Sequence, residues 1–384
     1  MPPFAGAGRG FKTTYDPSVK AEFTRSPSSA RSVVACGPRS GGARGGVATR
    51  PKLCDATVRG RGVGHKVVIR RLKGTGLLAG RDGWLFWIGT SRQNLGLYRD
   101  GPLSRVLLWR WRNLVLARRS KVAALGARYL QLVVPDKLSV YDNKLVGREL
   151  DPDMAIGRRL GREVERSGGA DAWIDLFSRL RAEREESELY LRTDTHFTPA
   201  GYRLAYGTLC AACGATALPR LLQGGSEEAE IETDLGSKLV PPSRERCEKE
   251  GFEIAAERVD ANALVRHRED QLRHVAGISS GSRVVYRNER SGTDPRRLAL
   301  FGDSYTFHST GLGPMLAETF REVHLLWSSP LDFGYVERVK PDLVIHEIAE
   351  RFLRRVPRDG VDVDALAEER LRTALAEARR SAAS

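Results

Sequence analysis

The chain has 384 residues, a formal net charge of +14 at pH 7 and a hydrophobic fraction of 41%. That apolar content excludes a wholly disordered protein, and no stretch approaches the roughly 18–20 uninterrupted apolar residues of a membrane span. Five cysteines in this length also exclude a dense disulfide scaffold. We therefore expect a globular protein, and its basic charge must be located before a nucleic-acid partner is considered.

The excess positive charge is concentrated in residues 1–63, which hold eleven basic and three acidic residues and so carry +8. This segment has too few large apolar side chains to offset the entropy of ordering, and we predict a disordered tail. It is either a misassigned start of the chain or a basic arm for nucleic acid or anionic lipid. It lacks the apolar run of about 7–15 residues of a secretory signal. Residues 64–384 carry only +6 and are predicted to form one folded domain, so nucleic acid is not the expected partner.

The first part of the folded region alternates between extended and helical patterns. Residues 80–88 are typical of a turn that leads into a strand. Residues 107–130 carry apolar side chains at intervals of three and four, which predicts an amphipathic helix. The apolar run 130–134, ended by Pro135, predicts a buried strand.

The middle of the chain contains a predicted helix boundary. Residues 173–181 repeat the helical period, and residues 188–191 form a short extended run. Thr198 before Pro199 predicts the start of a helix that would extend through Cys213. Residues 223–250 are polar and contain prolines, which indicates a long excursion or a small insertion.

The last part of the chain continues the alternation. The predicted elements are strands at 298–301, 323–327 and 343–345, helices at 312–320 and 363–378, and a helical turn at 335–339. Alternating strands and helices indicate an α/β sandwich with a mainly parallel sheet.

The run Gly302-Asp303-Ser304 follows one of these buried strands and precedes a helix. Ligands bind at the carboxyl ends of parallel strands, and a glycine there allows the sharp turn that exposes the next side chain. Ser304 is therefore a candidate nucleophile, and its own N–H is a candidate oxyanion donor. The alternative is an ordinary turn in which Asp303 or Ser304 caps the helix.

A second segment, Asp194-Thr195-His196, supplies the other groups that a serine nucleophile requires. Residues two apart on an extended chain project to the same side, so Asp194 and His196 can reach a common site. An imidazole can take the proton of a serine hydroxyl, and a carboxylate can hold the imidazole in the correct tautomer. The alternative is that these residues only cap the helix that follows.

Together with three further blocks, these segments resemble the alginate O-acetyltransferase family of the AlgX and AlgJ type, which has an SGNH-hydrolase-like domain. The similarity covers roughly residues 65–356. The five blocks, in chain order, are Gly80-Arg81-Asp82-Gly83-Trp84-Leu85-Phe86, Val133-Val134-Pro135-Asp136-Lys137 with Tyr141, Thr193-Asp194-Thr195-His196, Phe301-Gly302-Asp303-Ser304-Tyr305, and Lys340-Pro341-Asp342-Leu343-Val344 leading to Glu350-Arg351.

The resemblance implies a flavodoxin-like α/β/α sandwich in which Ser304 is the nucleophile, His196 the general base and Asp194 its orienting carboxylate. It further implies transfer of acetyl groups onto exopolysaccharide hydroxyls in the periplasm, with no cofactor and with a membrane-bound acetyl-donor protein as partner. Because no signal peptide is visible, the cytoplasm is the alternative location. The alternative functions are a carbohydrate esterase with the same triad and a catalytically silent polysaccharide-binding protein.

Several other residues are weighed as secondary candidates. Cleft or oxyanion contributors are predicted at Gly302, Asp303, Tyr305, Lys137, Tyr141 and Arg351, with His308 as a further candidate. We expect Glu347 and Glu350 to form a structural ion pair with Arg351. No metal site is expected, since Cys210 and Cys213 have only Cys247 nearby, and we expect them to serve packing or a disulfide. Sugar-stacking faces or core packing are the alternatives for Trp84, Trp87, Trp109 and Trp111.

Overall fold

The computed structural model describes residues 75–89, 93–147, 149–225, 227–248, 252–271, 280–308 and 310–382. The tail predicted at 1–63 lies outside these residues. None of the helices in the described ranges is long and apolar enough to cross a lipid bilayer.

Strands and helices alternate through most of these residues. The strands are β1 (Leu77–Ala79), β2 (Leu85–Trp87), β3 (Arg128–Val134), β4 (Trp173–Ile174), β5 (Glu228–Glu232), β6 (Arg244–Glu248), β7 (Glu257–Ala261), β8 (Arg283–Arg287), β9 (Asp294–Gly302), β10 (Phe320–Trp327) and β11 (Leu343–Ala349). The α-helices are α1 (Pro102–Ala124), α2 (Lys137–Val140), α3 (Ile156–Val164), α4 (Leu176–Glu183), α5 (Pro199–Cys213), α6 (Pro219–Leu222), α7 (Ala263–Gln271), α8 (Ser304–Phe307), α9 (Leu312–Thr319), α10 (Phe333–Val339) and α11 (Val363–Ala382).

A seven-stranded sheet in the order β4-β3-β11-β9-β10-β8-β7 forms the centre of the fold. The first five strands in that order are mutually parallel, and β8 is antiparallel to both of its neighbours. Strand β9 is covered on both faces, because Leu298, Ala299, Leu300 and Phe301 are all fully buried. Burial on both faces explains why this strand is a continuous apolar run in the sequence.

Helices cover both faces of the sheet. On one face α1 packs against α3, and Lys121 of α1 lies 3.8 Å from the ring centroid of Phe333 in α10. On the other face α5 packs against α4 and α9. The connections β9 to β10 and β10 to β11 run in opposite directions along the sheet, and right-handed crossovers then place α9 and α10 on opposite faces. The predicted three-layer α/β/α sandwich with a mainly parallel sheet is confirmed.

Several predicted boundaries need correction. The helix predicted at 107–130 occupies Pro102–Ala124 and begins at a proline, whose fixed φ suits the first helical turn. The segment predicted as helical at 173–181 begins with strand β4, because Trp173 and Ile174 pair with β3 before α4 starts. The helix predicted to start at Thr198 is confirmed, with the Thr198 side chain accepting the Gly201 N–H.

Residues 223–250, predicted as an excursion or insertion, contain a two-stranded antiparallel hairpin of β5 and β6 outside the central sheet. The turn of this hairpin reaches the edge where the parallel strands end, since the Leu235 and Gly236 N–H groups donate to the Thr193 carbonyl at 3.1 and 2.9 Å. The insertion therefore belongs to the surroundings of the candidate site.

Helix α1 is fixed to the C-terminal part of the chain by a buried ion pair. Arg118 is fully buried, and its Nε and Nη2 donate to the two carboxylate oxygens of Asp359 at 2.9 and 2.6 Å. Asp359 also accepts the Leu331 N–H at 2.9 Å. The guanidinium charge thus has its compensating carboxylate inside the protein.

We expect Asp359→Asn to lower the free energy of unfolding by about 3 kcal/mol, because it leaves a buried cation without a countercharge. Urea unfolding followed by circular dichroism measures this change. Asp171→Asn is the matched control, since Asp171 pairs with Arg119 on the surface, where side chains are 59% and 39% exposed. The control should change stability by less than about 0.5 kcal/mol. Equal effects of the two substitutions would contradict the assignment.

Candidate active site

Ser304 lies directly after strand β9, at the carboxyl end of the parallel strands. The side chain of Asp303 caps helix α8, and Ser304 is the first residue of that helix. A Cβ on Gly302 would stand 2.2 Å from Thr306 Oγ1 and 2.8 Å from Glu347 Oε2. Glycine at 302 therefore allows the close turn that leaves the half-buried Ser304 at the edge of the sheet.

Two carboxyl groups hold this turn against strand β11. The Asp303 N–H donates to Glu347 Oε2 at 2.9 Å, and Asp303 Oδ2 accepts the Ala349 N–H at 2.9 Å. Burial and the neighbouring Asp303 carboxylate raise the pKa of Glu347 well above its usual range. The predicted contributors Gly302 and Asp303 thus shape the turn around the serine.

His196 joins the serine turn to the second predicted segment. Its Nε2 lies 2.9 Å from Ser304 Oγ, and its Nδ1 lies 2.7 Å from Asp194 Oδ1. Asp194 Oδ1 also accepts the His196 N–H at 2.9 Å. The side chains of Asp194, His196 and Ser304 therefore form one continuous line of hydrogen-bonded groups, although His196 and Ser304 are 108 residues apart in the sequence.

The charges around this line favour an imidazolium. Burial disfavours the charged ring, but the hydrogen bond and charge of Asp194, with a contribution from Asp234, outweigh it and raise the pKa of His196 above its usual 6.5. Burial alone would raise the pKa of Asp194, but hydrogen bonds from His196 and from the Asp234 N–H lower it well below its usual range. Asp194 is thus an ionised carboxylate next to the ring.

The hairpin of β5 and β6 adds two acidic residues that the sequence interpretation missed. Asp234 accepts the Thr195 N–H at 2.8 Å and also the Thr195 hydroxyl. Glu245 accepts the N–H groups of Arg192 and Thr193 at 2.7 and 2.8 Å. The polar composition of residues 223–250 is the only signal in the sequence, and it does not indicate which acids turn inward.

Comparison with known proteins places the chain in a family. Residues 77–334 match the family model described as the SGNH hydrolase-like domain of the acetyltransferase AlgX. The chain belongs to this family. The match covers more than half of the chain and contains the Asp194, His196 and Ser304 segments.

Individual relatives share 30% sequence identity or less with this AlgX-family chain. The probable alginate O-acetylase AlgJ of Pseudomonas aeruginosa is 30% identical over 129 residues, which are 33% of this chain and 30% of that protein. The O-acetyltransferase domain of Pseudomonas putida AlgJ has a TM-score of 0.49 at 19% identity, covering 74% of this chain and 94% of that one. Pseudomonas aeruginosa AlgX has a TM-score of 0.43 at 17% identity, covering 77% and 66%.

Arg351 forms an ion pair in this AlgX-family domain, but its partner differs from the prediction. Its Nη1 donates to Asp136 Oδ1 at 2.9 Å, so the expected pair with Glu347 or Glu350 is wrong. Glu350 instead accepts the N–H groups of Asp136 and Gly157 at 3.0 and 2.8 Å. Because backbone N–H groups satisfy the buried Glu350 carboxylate, the Arg351 guanidinium pairs with Asp136. Arg351 also lies 5.7 Å from the ring centroid of Tyr305, beside the serine turn.

The buried ammonium of Lys137 braces the chain that leads to the Asp-Thr-His segment. Its Nζ donates to the carbonyls of Leu191 and Arg192, each at 2.8 Å. Burial lowers the pKa of Lys137 to about 8, against the opposing effect of nearby acids such as Asp234 and Asp194. Lys137 therefore holds the backbone two and three residues before Asp194.

The predicted aromatic contributors are buried around the site. The Tyr305 hydroxyl donates to the Thr195 carbonyl at 2.5 Å, which joins the serine turn to the histidine segment. The Tyr141 hydroxyl accepts the Leu189 N–H at 2.9 Å, so it supports the chain before that segment and is not aimed at Ser304. The His308 ring lies 6.0 Å from the His196 ring, and burial lowers the pKa of His308 to about 4.

The tryptophans and cysteines divide between core and surface. Trp84 and Trp111 are core residues with 1% exposure, whereas Trp109 is 58% exposed on α1. Trp87 is half-buried, with the Lys238 ammonium 5.6 Å from its ring centroid. Buried on α5, Cys210 and Cys213 act as packing residues, and burial raises their pKa values to about 11 and 12.

One group of side chains has the composition of a cation site. Ligand atoms of Asp194, His196 and Asp234 lie within 4.8 Å of one another. Both ring nitrogens of His196 and both oxygens of Asp194 already have hydrogen-bond partners inside the protein. A cation could enter only by breaking these bonds, so the arrangement suits proton transfer better than metal binding.

We expect Gly302→Ala to destabilise the fold by about 1–3 kcal/mol or more, because the added methyl has no space beside Thr306. Chemical unfolding measures the loss, and esterase or transferase assays should show lower activity because the serine turn must shift. Gly207→Ala on α5 is the matched control, since its nearest contact would be Leu222 at 3.7 Å. The control should be neutral or more stable, by up to about 1 kcal/mol. A Gly302→Ala protein as stable and active as the wild type would refute the packing argument.

Proposed function

We propose that this chain is a serine-dependent O-acetyltransferase that moves acetyl groups onto hydroxyls of a polysaccharide. The observation that carries the proposal is the 2.9 Å contact between Ser304 Oγ and His196 Nε2, with Asp194 on the far side of the ring. Membership of the AlgX family supports acetyl as the transferred group.

In the first half-reaction, Ser304 Oγ attacks the carbonyl carbon of an acetyl donor while His196 Nε2 takes the hydroxyl proton. Asp194 stabilises the resulting imidazolium and keeps Nδ1 protonated. The tetrahedral intermediate collapses when the bond to the donor's leaving group breaks and His196 returns its proton to that group. The product is an acetyl ester on Ser304.

In the second half-reaction, a sugar hydroxyl attacks the acetyl-serine carbonyl and gives its proton to His196. The bond to Ser304 Oγ then breaks, and His196 reprotonates the serine. The same residues thus act twice, and the identity of the second nucleophile alone decides between transfer and hydrolysis.

The negative charge on the intermediate requires hydrogen-bond donors. The Ser304 N–H is in the first turn of α8, where helix N–H groups have no partner within the helix. Within the described ranges it donates to no protein acceptor. We assign it as one oxyanion donor.

We also propose an exopolysaccharide of the alginate type as acceptor, a periplasmic location and a membrane-bound acetyl-donor protein as partner. The support is the family match together with the similarity to a probable alginate O-acetylase. The chain matches about a third of that relative, so these assignments depend on their own tests.

A carbohydrate esterase is the second candidate function. The His196 side chain is 19% exposed, so water can reach the base. If the same geometry activates water in the second half-reaction, the acetyl group is released as acetate.

Incubation with 4-nitrophenyl acetate should add one acetyl group to the protein, at Ser304. Peptide mass spectrometry locates the adduct. Ser304→Ala should abolish it, and His196→Ala should slow its formation by at least about 100-fold, because the serine loses its base. Ser237→Ala is a control, since this serine is exposed on the hairpin. An unmodified Ser304, or modification at the wild-type rate in His196→Ala, would refute the enzyme.

Adding oligomannuronate after the acetyl-enzyme has formed distinguishes acetyl transfer from hydrolysis. Acetylated oligomannuronate is the expected product by mass spectrometry. Acetate as the only product, at every oligosaccharide concentration, would replace the transferase with an esterase.

The acetylation rate should rise with pH through a midpoint above 6.5, because only the neutral His196 ring accepts a proton and its pKa is raised. His308, with a pKa of about 4, is mainly neutral between pH 5 and 9, so its titration does not set this midpoint. Asp194→Asn should lower the midpoint and reduce the rate by about 10³–10⁴-fold. Stopped-flow rates between pH 5 and 9 test this, and an unchanged midpoint in Asp194→Asn would contradict the assignment.

A further inference from the structure

The segment that carries His196 is held by the hairpin of β5 and β6 as well as by Lys137 and Tyr305, which follow strands of the central sheet. We propose that Asp234, in the turn of this hairpin, is a positioning residue that holds His196 in place through Thr195 and Asp194. This inference rests on the proposed role of His196 as the base.

Asp234 uses both carboxylate oxygens and its backbone N–H on the two residues that precede the histidine. Its Oδ1 accepts the Thr195 N–H at 2.8 Å, and its Oδ2 accepts the Thr195 hydroxyl. Its own N–H donates to Asp194 Oδ2 at 2.7 Å. Asp194 Oδ1 is thereby left for the His196 ring. One residue fixes both the backbone before His196 and the carboxylate that orients its ring.

The hairpin turn is itself rigidly attached to the same segment. The Thr193 hydroxyl contacts Thr233 Oγ1 at 2.9 Å and donates to Glu245 Oε2 at 2.7 Å. A Cβ on Gly236 would stand 2.3 Å from Thr233 Oγ1, so the turn packs without space for a side chain there. Asp234 therefore has little freedom to move relative to Thr195.

The Asp234 carboxylate also contributes a charge next to the base. Burial, followed by the Asp194 charge, raises the pKa of Asp234, and Asp234 in turn contributes to raising the pKa of His196. Other charged or titratable groups act on this cluster. They are Asp194, Arg351 and His308 at His196, Lys238 at Asp234, and Lys137 near both aspartates. Two carboxylates facing one imidazole stabilise the imidazolium that forms when Ser304 loses its proton.

The geometric and electrostatic contributions can be separated by two substitutions. Asp234→Asn keeps an acceptor for the Thr195 N–H and a polar group for its hydroxyl, but removes the charge. Asp234→Ala removes both contacts. Glu230→Gln is the matched control, because Glu230 is an exposed acid on strand β5 of the same hairpin.

The test follows the His196 ring by NMR in full-length protein labelled in histidine, with assignment from the signal lost in His196→Ala. We expect Asp234→Asn to lower the His196 pKa by about 0.5–1 unit, since one facing negative charge is gone. Glu230→Gln should leave it within about 0.1 unit. A His196 pKa unchanged by Asp234→Asn would overturn the electrostatic part of the proposal.

Acetylation of Ser304 by 4-nitrophenyl acetate tests the geometric part. We expect Asp234→Ala to slow it by about 10–100-fold, because small displacements of a base reduce its efficiency sharply. Asp234→Asn should recover most of this loss. An Asp234→Ala protein that is folded and acetylates at the wild-type rate would overturn the positioning role. If the wild type forms no acetyl-serine, the proposed function fails, whereas the NMR titration still decides the link between Asp234 and His196.

Discussion

Buried carboxylates that accept backbone N–H groups hold the edge of the sheet together. Loops that leave the parallel strands have N–H groups without partners in the sheet, and such groups are costly when buried. Acidic side chains from the same loop or from neighbouring loops and strands satisfy them. The pairs are Glu350 with Asp136 and Gly157, Glu347 with Asp303, Asp303 with Ala349, Asp194 with His196 and Asp234, Asp234 with Thr195, and Glu245 with Arg192 and Thr193.

This arrangement links the chemistry to the cost of burying charge. Glu347 and Glu350 are fully buried, and burial raises the pKa of Glu350 to about 7. Carboxyl groups so deeply buried are stable only while their hydrogen bonds are intact. The serine and histidine segments are therefore held in fixed relative positions by groups that take no part in proton transfer.

Local patterns in the sequence predicted the sandwich and the three side chains of the proposed relay. Each of those features depends on neighbours in the chain: a buried run ending in Gly302-Asp303-Ser304, or Asp194 two residues before His196. The predicted ion-pair partner of Arg351 was wrong because its actual partner, Asp136, is 215 residues away in the sequence. Only the folded sheet brings Arg351 and Asp136 together. Asp234 was missed for the same reason, since nothing in a polar insertion distinguishes the acid that turns inward.

The insertion of β5 and β6 has a consequence for folding. The nucleophile turn is held by strand β11 of the central sheet, whereas the segment before His196 also donates backbone N–H groups to Asp234 and Glu245 of the hairpin. A chain with its sheet complete but its hairpin detached would hold the serine in place, while the segment before His196 would lack its hydrogen bonds to Asp234 and Glu245. Chemical reactivity of Ser304 therefore reports on docking of the hairpin, which measurements of overall helix and strand content would not detect.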